Sequence, residues 1–146
     1  MSGMFFAFSN FIVLALSKLP ANYGSAAMQS VNITRINPCF LAVYLGTALC
    51  SLTTAIVAGL NIERPGAVWA VAGGLVYLTG CLFVTIWFNT PLNNNLAELD
   101  LEQSDDYPKW REYIESWLPW NHVRTVSTLV STTAYIIALT QLRGES

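Results

Sequence analysis

A single histidine is the side chain best suited to acid–base chemistry in this sequence. His122 stands in the run Trp120-Asn121-His122, and Arg124 follows two positions later. Histidine ionises near neutral pH, and a helix N-terminus favours its neutral ring, which can accept a proton as a general base. Arg124 could then stabilise the anion that this transfer creates. The alternatives are that His122 bonds water or lipid headgroups and that Arg124 anchors the chain at a membrane surface.

Amide side chains form a second set of candidates. Asn89 and Asn93 surround Pro91, where they either form a turn or donate hydrogen bonds to a developing oxyanion. Asn121 is placed to cap the helix that follows it. Asn10 either joins two helices by a hydrogen bond or contacts a substrate. Trp110, Trp117 and Trp120 are expected to line the entrance and stack on a flat ring. Asn121 and Asn10 are further candidates for binding the substrate.

Composition excludes several classes of protein. One histidine and three scattered cysteines do not have the spacing of a zinc site, so the sequence predicts no metal. A net charge of −2 leaves no basic patch for nucleic acid. Asp, Glu, Lys and Arg are missing from the middle of every apolar segment, which argues against a proton-coupled transporter.

Long uncharged segments must position these candidates. Of the 146 residues, 53% are hydrophobic and only 11% are charged, against about 25% charged in soluble domains. A membrane-spanning helix needs about 20 apolar residues. The sequence therefore predicts one all-α domain over 1–146, an integral membrane four-helix bundle with up-down-up-down topology. The predicted spans are about 4–17, 39–60, 67–88 and 123–142, the first of them short because we expect its upstream turns to be missing from this chain.

The two long connections are predicted to carry short amphipathic helices at the membrane interface, at about 22–35 and 105–118. The first has its apolar face on Tyr23, Ala27 and Val31, and the second on Tyr107, Trp110, Ile114 and Trp117. The side with the long connections holds five Lys and Arg residues and the other side two. The positive-inside rule then places the long connections in the cytoplasm and both termini outside.

Small residues recur at every fourth position of the central spans and predict close helix packing. The second span carries two such rows and the third span one: Gly46, Cys50, Thr54 and Ala58; Thr47, Ser51, Ala55 and Gly59; Gly66, Ala70 and Gly74.

Motifs at the ends of the spans form a recognisable set. They are Gly3-Met4-Phe5-Phe6-Ala7-Phe8-Ser9, Leu19-Pro20 with Gly24, Met28-Gln29 with Asn32, Asn37-Pro38-Cys39-Phe40, Phe88-Asn89-Thr90-Pro91-Leu92-Asn93, and Trp120-Asn121-His122-Val123-Arg124-Thr125. From about Gly3 to Leu139 the chain resembles the anthrone oxygenase-like family of four-span membrane proteins. That resemblance implies oxidation of an anthrone by O₂ without an identified metal or flavin. It also makes site residues of His122, Arg124, Asn121, Asn89 and Asn93.

Two functions follow from these observations. In the first, a cofactor-independent oxygenase in a bacterial-type cell membrane uses His122 to deprotonate a lipid-soluble anthrone-like phenol. Arg124, with Asn89 or Asn93, stabilises its anion. The expected partners are the lipid bilayer and a hydrophobic aromatic small molecule, with a homo-oligomer left open. The alternative is a non-enzymatic membrane module that binds a quinone, pigment or haem, or an accessory subunit of a membrane complex.

Overall fold

The computed structural model describes residues 1–99 and 106–144, and these residues form helices joined by short connections. We number the helices in chain order: α1 Ser2–Ser17, α2 Ala21–Thr34, α3 Pro38–Leu60, α4 Ala67–Ala97 and α5 Asp106–Arg143. The prediction of an all-α protein is confirmed over the described residues.

Three of these helices are long and apolar enough to cross a membrane. Within an 18-residue window of each helix, the mean hydropathy reaches 1.9 for α3, 1.9 for α4 and 1.2 for the part of α5 from Pro108 to Arg143. α1 is apolar but shorter, ending at Ser17. The chain is therefore consistent with a multi-pass membrane protein, as its charge-free segments predicted.

α3 begins where the sequence indicates a helix start. The side-chain oxygen of Asn37 accepts a hydrogen bond from the Phe40 amide at 2.9 Å, and Pro38 occupies the first turn, where its missing N–H costs least. Both signals are local, so they could be read without any tertiary information.

α4 does not end at Pro91, contrary to the prediction of a span closing near residue 88. Proline removes one backbone donor and its ring clashes with the carbonyl four positions earlier. The turn before it, Thr85–Asn89, is π-helical, as is Leu78–Phe83, and the helix continues to Ala97. A π-helical turn relieves that clash, because its carbonyls pair with amides one residue further along the chain.

α5 is one helix of 38 residues where the sequence predicts two, at 105–118 and 123–142. Residue 105 lies outside the described residues. Pro119 lies inside this helix without ending it. Asn121 therefore occupies the helix interior, and its predicted role as an N-cap is wrong.

The small-residue rows contribute unequally to packing. A Cβ atom added to Gly74 on α4 would lie 2.7 Å from the Ser51 carbonyl oxygen and 2.8 Å from the Ala55 Cβ on α3. A Cβ added to Gly46, on the other predicted row of α3, would meet nothing within 4 Å. The Ser51–Ala55 row thus packs against α4, while the row of Gly46 does not face it.

One core cluster lies where α1, α2, the C-terminal end of α4 and the N-terminal half of α5 meet. Its buried members are Val13, Met28, Leu96, Trp110, Tyr113 and Trp117. The apolar face of α2 differs from the predicted one, because Tyr23 is 65% exposed whereas Gly24, Ser25 and Met28 are buried. The reason is a close approach: the Gly24 Cα has Leu16 backbone and the Trp110 ring against it, a space that only glycine leaves open.

Candidate functional site

A cavity of about 330 Å³ lies between the helices, and each of the five contributes to its wall. This volume is at the lower end of the range for small-molecule sites, about 300–1,000 Å³. Most of the wall is apolar, and its aromatic members are Phe5, Phe8, Phe40, Tyr44 and Trp117. The polar side chains in the wall are Asn32, Arg35, Thr85, Thr90, Asn121 and Arg124.

Arg124 is the central polar group of this cavity. Its side chain is only 3% exposed, and its guanidinium donates hydrogen bonds to Asn121 Oδ1 at 2.8 Å and to Thr85 Oγ1 at 3.3 Å. The guanidinium also lies over the Phe5 ring, 4.6 Å from its centroid, and over the Trp117 ring at 5.1 Å. Aromatic faces attract cations in this geometry.

The charge of Arg124 has no anionic partner within the described part of the chain. The ion pair found there joins Arg111 to Glu115 on the exposed surface of α5. The Arg124 Nε–H is buried and has no hydrogen-bond acceptor. Burying a cation without a counter-ion is costly, and buried polar groups in proteins are normally satisfied. The arrangement is that of a site for an anion or for an atom that develops negative charge.

Asn121 fixes the orientation of Arg124. Its amide nitrogen donates to the Phe5 carbonyl at 2.9 Å and to Ser9 Oγ at 2.7 Å, both on α1, while its oxygen accepts from Arg124. Asn121 is completely buried. The first two bonds tie α1 to α5 beside the cavity, and the third leaves the guanidinium little freedom to turn. Arg124 and Asn121, both predicted as site residues, thus lie side by side in the wall of this cavity.

His122 is not part of this arrangement. Successive residues of an α-helix are about 100° apart, so residues 122 and 124 face roughly opposite sides of α5. The His122 side chain is exposed and is absent from the cavity wall. The structure therefore separates the predicted base from the predicted anion-binding residue, and sequence adjacency was a poor guide to their relation.

Asn89 and Asn93 are buried outside the cavity, between α4 and α5. The Asn89 amide donates to the Trp117 carbonyl at 3.3 Å, and the Tyr113 hydroxyl donates to Asn93 Oδ1 at 2.9 Å. Asn89 Oδ1 and Asn93 Nδ2 have no partner. These amides join two helices in this conformation and do not reach the cavity in which Arg124 lies.

The predicted substrate-binding aromatics are divided among three places. Trp117 lines the cavity. Trp110 is buried in the core beside Tyr113 and does not contribute to the wall. Trp120 is half-buried and stacks on Phe88 with ring centroids 3.7 Å apart, also outside the wall. Asn10 is exposed and likewise lies outside the wall.

Sequence reasoning missed several residues of the wall. In the sequence Arg35 is one of the five Lys and Arg residues on the side of the long connections, and Thr85 is a single hydroxyl in an apolar span. Asn32, Phe5 and Phe8 each belong to a motif quoted above for the family resemblance, which was the available signal. Phe8 and Thr85 also lie in π-helical turns, a feature frequent at functional sites that the sequence does not show.

Groups of three or more His, Cys, Asp or Glu side chains that could hold a metal ion are absent from residues 1–99 and 106–144. The three cysteines are free thiols that differ in burial: Cys39 and Cys50 are exposed and Cys81 is buried.

Comparison with known proteins identifies a family. The family described as "Anthrone oxygenase" matches residues 23–134, which is well over half of the chain and contains all of α3 and α4 and most of α2 and α5. No curated protein and no solved structure matches this sequence. The family resemblance read from the motifs is therefore confirmed, and the chain belongs to the anthrone oxygenase family.

Proposed function

We propose that this protein is a membrane-embedded oxygenase that oxidises an anthrone-like, lipid-soluble aromatic phenol with O₂, without a cofactor. The observation that carries this proposal is Arg124, a buried cation with an unpartnered Nε–H in the wall of an apolar cavity. Membership of the family supports the class of reaction. The cavity supports the class of substrate, because its aromatic wall suits a flat ring system.

The reaction begins with loss of a proton from the carbon between the two outer rings of the substrate. The resulting carbanion is delocalised onto the oxygen of the opposite carbonyl, where Arg124 stabilises it, an effect typically worth 10²–10³-fold per donor. The anion transfers one electron to O₂, and the two radicals join as a peroxide on the ring carbon. The peroxide takes up a proton and then loses water, which leaves a carbonyl. One O₂ is consumed, one of its oxygen atoms enters the quinone, and the other leaves as water with both hydrogens of that carbon.

The sequence and the structure suggest different groups as the acceptor of the substrate proton. The sequence predicts His122 as the base, but its side chain is exposed and absent from the cavity wall. The described residues of the wall include no histidine and no carboxylate. We therefore propose that a water molecule in the cavity mouth accepts the proton. Arg124 lowers the pKa of the substrate C–H group, because it stabilises the anion that forms. Asn89 and Asn93 then support α5 behind Trp117 and do not bind the oxyanion.

The position of the site suits a substrate dissolved in the bilayer. We propose that α1 joins α3, α4 and α5 in the membrane as a fourth, shorter span of the bundle. Tyr44 in the cavity wall lies six positions into α3, about 9 Å beyond its start at a rise of ~1.5 Å per residue. Exposed apolar residues, Leu41, Leu45 and Ile86, also line the cavity, so a substrate can enter sideways from lipid. We place the protein in a bacterial-type cell membrane with its long connections on the cytoplasmic side.

A non-enzymatic role is the second candidate, and one observation favours it. A cavity that offers two arginine cations and amide donors, but no histidine or carboxylate to accept a proton, can hold a quinone or a phenolic pigment without transforming it. Such a module, alone or as an accessory subunit, would bind an anthraquinone as tightly as an anthrone and consume no oxygen.

Oxygen uptake by the purified protein in detergent tests the proposal. With anthrone as substrate, we expect a rate well above that in protein-free micelles, one O₂ consumed per anthraquinone formed, and one ¹⁸O atom in the quinone when ¹⁸O₂ is supplied. Arg64→Met is the matched control for the variant Arg124→Met, because Arg64 is exposed in the connection between α3 and α4. Uptake no faster than in empty micelles, with tight binding of anthraquinone, would overturn the oxygenase and leave the binding module.

A further inference from the structure

The unpartnered polar atoms in the cavity wall are all hydrogen-bond donors. Three buried atoms of wall residues have no partner: Asn32 Nδ2, Trp117 Nε1 and Arg124 Nε. A buried donor without an acceptor destabilises the protein unless a ligand accepts its hydrogen. Donors from two separate helices, α2 and α5, therefore lack acceptors in the same cavity. Oxygen atoms of a ligand could accept their hydrogen bonds. A ligand with a single acceptor atom satisfies only part of this set.

Arg35 adds a second cation to the same wall. It follows the last residue of α2, its side chain is half-buried, and it lines the cavity one turn after Asn32. Burial lowers the pKa of the Arg35 guanidinium from its ordinary value because the charged form loses water. The described wall contains no carboxylate to compensate Arg35 or Arg124. Two like charges around one small apolar cavity destabilise the empty protein and favour an anion bound between them.

A purely local role for Arg35 accounts for only part of its side chain. Its Nε–H donates to the Asn32 carbonyl at 3.4 Å, which caps the end of α2. A guanidinium carries five N–H donors in a planar fork, so this bond leaves the two terminal nitrogens available. A cap alone also gives no reason for Asn32 Nδ2, one turn earlier, to stay buried without an acceptor.

We infer that Arg35 and Asn32 form a second anion-binding subsite, which selects aromatic substrates that carry a carboxylate or a comparable anionic oxygen group on an outer ring. Arg124 binds the oxygen at which negative charge develops, and Arg35 binds the permanent anion from another wall of the cavity. The aromatic part of this ligand rests on the proposed function. The second anionic group rests on the two unpaired arginines and the orphaned amide. A planar guanidinium pairs with a carboxylate through two parallel hydrogen bonds, which a lysine cannot reproduce.

Binding of two matched ligands tests this subsite without any turnover. The probes are anthraquinone-2-carboxylate and anthraquinone-2-carboxamide, which have nearly the same shape and differ in charge. Their dissociation constants are measured in a non-ionic detergent by quenching of tryptophan fluorescence, since Trp117 lies in the wall. For the wild-type protein we expect the carboxylate to bind about 10- to 100-fold more tightly than the carboxamide.

Variants at Arg35 assign that preference to one residue. Arg35→Gln is expected to reduce the carboxylate-to-carboxamide affinity ratio to near 1, and Arg35→Lys to restore part of it. Arg64→Gln, at an exposed arginine outside this cavity, is expected to keep the wild-type ratio. Because Arg35 is half-buried and not in the helix core, we expect these variants to fold, which the melting temperature in detergent verifies.

Each outcome bears on one proposal. Equal affinities for the two probes in the wild-type protein overturn the second subsite, and so does a carboxylate preference that survives Arg35→Gln. A carboxylate preference that depends on Arg35, without oxygen uptake on any anthrone, supports the subsite and overturns the oxygenase. Oxygen uptake on anthrone with no preference between the probes supports the oxygenase and overturns the subsite.

Discussion

Replacing Arg124 by methionine tests whether the charge of this residue serves the reaction or stabilises the fold. Methionine has a similar length and no charge, so it fills the space between Phe5 and Trp117 with little repacking. If Arg124 is present to stabilise an anion, its removal should abolish activity while the bundle stays folded. If it is present to hold the bundle together, the protein should lose stability and activity in parallel.

The expected change in stability follows from the contacts of the guanidinium. The variant loses two charge-assisted hydrogen bonds, to Asn121 and Thr85, of roughly 1.5–3 kcal/mol each. It regains several kcal/mol, because a buried cation without a counter-ion is no longer taken out of water. Thr85 keeps its own bond to the Cys81 carbonyl, so it is not left unsatisfied. We expect a net change of about 2 kcal/mol or less, which is roughly 4–8 °C in Tm.

The expected change in activity is far larger. Loss of the donors at the developing oxyanion should lower the rate of oxygen uptake on anthrone by about 10²–10³-fold. The assay compares kcat and KM of the wild type, Arg124→Met and Arg124→Lys, each at equal folded concentration. Lysine keeps the charge but cannot reach Asn121 and Thr85 together in a planar fork, so it should recover only part of the rate.

Two results would refute this reasoning. A rate within about threefold of the wild type would show that the charge does not act on the transition state. A fall in Tm much larger than about 8 °C would show that Arg124 stabilises the fold and that its unpaired burial is compensated in a way the geometry does not reveal. Arg64→Met should be silent in both measurements, because Arg64 is exposed and lies at the other end of α3.

The remaining predictions concern other positions. His122→Ala should keep oxygen uptake within about threefold of the wild type, because the side chain is exposed and absent from the cavity wall; a loss of ~100-fold would reinstate it as the base. Gly74→Ala should lower the unfolding free energy by about 1–3 kcal/mol, since its Cβ would lie 2.7 Å from the Ser51 carbonyl. Gly46→Ala, with open space around it, should not lower the Tm in detergent. Asn37→Ala should lower the free energy of unfolding by about 1 kcal/mol, measured by Tm in the same detergent, because the N-cap of α3 is lost. An unchanged Tm would show that Pro38 alone is enough to start the helix.

Helix content and membrane character were accessible from the sequence because both depend on local chemistry. Charge-free runs near 20 residues long predict spanning helices whatever their neighbours are, and α3 and the first part of α4 match the predicted segments. The start of α3 was equally readable, since Asn37 and Pro38 act on backbone groups within one turn. The C-terminal end of α4 and the continuity of α5 were not, because Pro91 and Pro119 break a helix only if nothing compensates for the lost hydrogen bond and the ring clash.

Only the tertiary structure decided which residues of each helix face the neighbouring helices. Asn121, His122 and Arg124 form one motif in the chain, yet packing of α1 against α5 buries the first and third and leaves the second exposed. A helix turns about 100° per residue, so one contact, such as Asn121 with the Phe5 carbonyl, fixes which neighbours share a face. The sequence determined by itself which residue types could do chemistry and that they lie in an apolar helical protein. Only the tertiary structure brought Arg35, from a loop 89 positions away, to the same cavity as Arg124, because contacts between helices are set by packing and not by spacing along the chain.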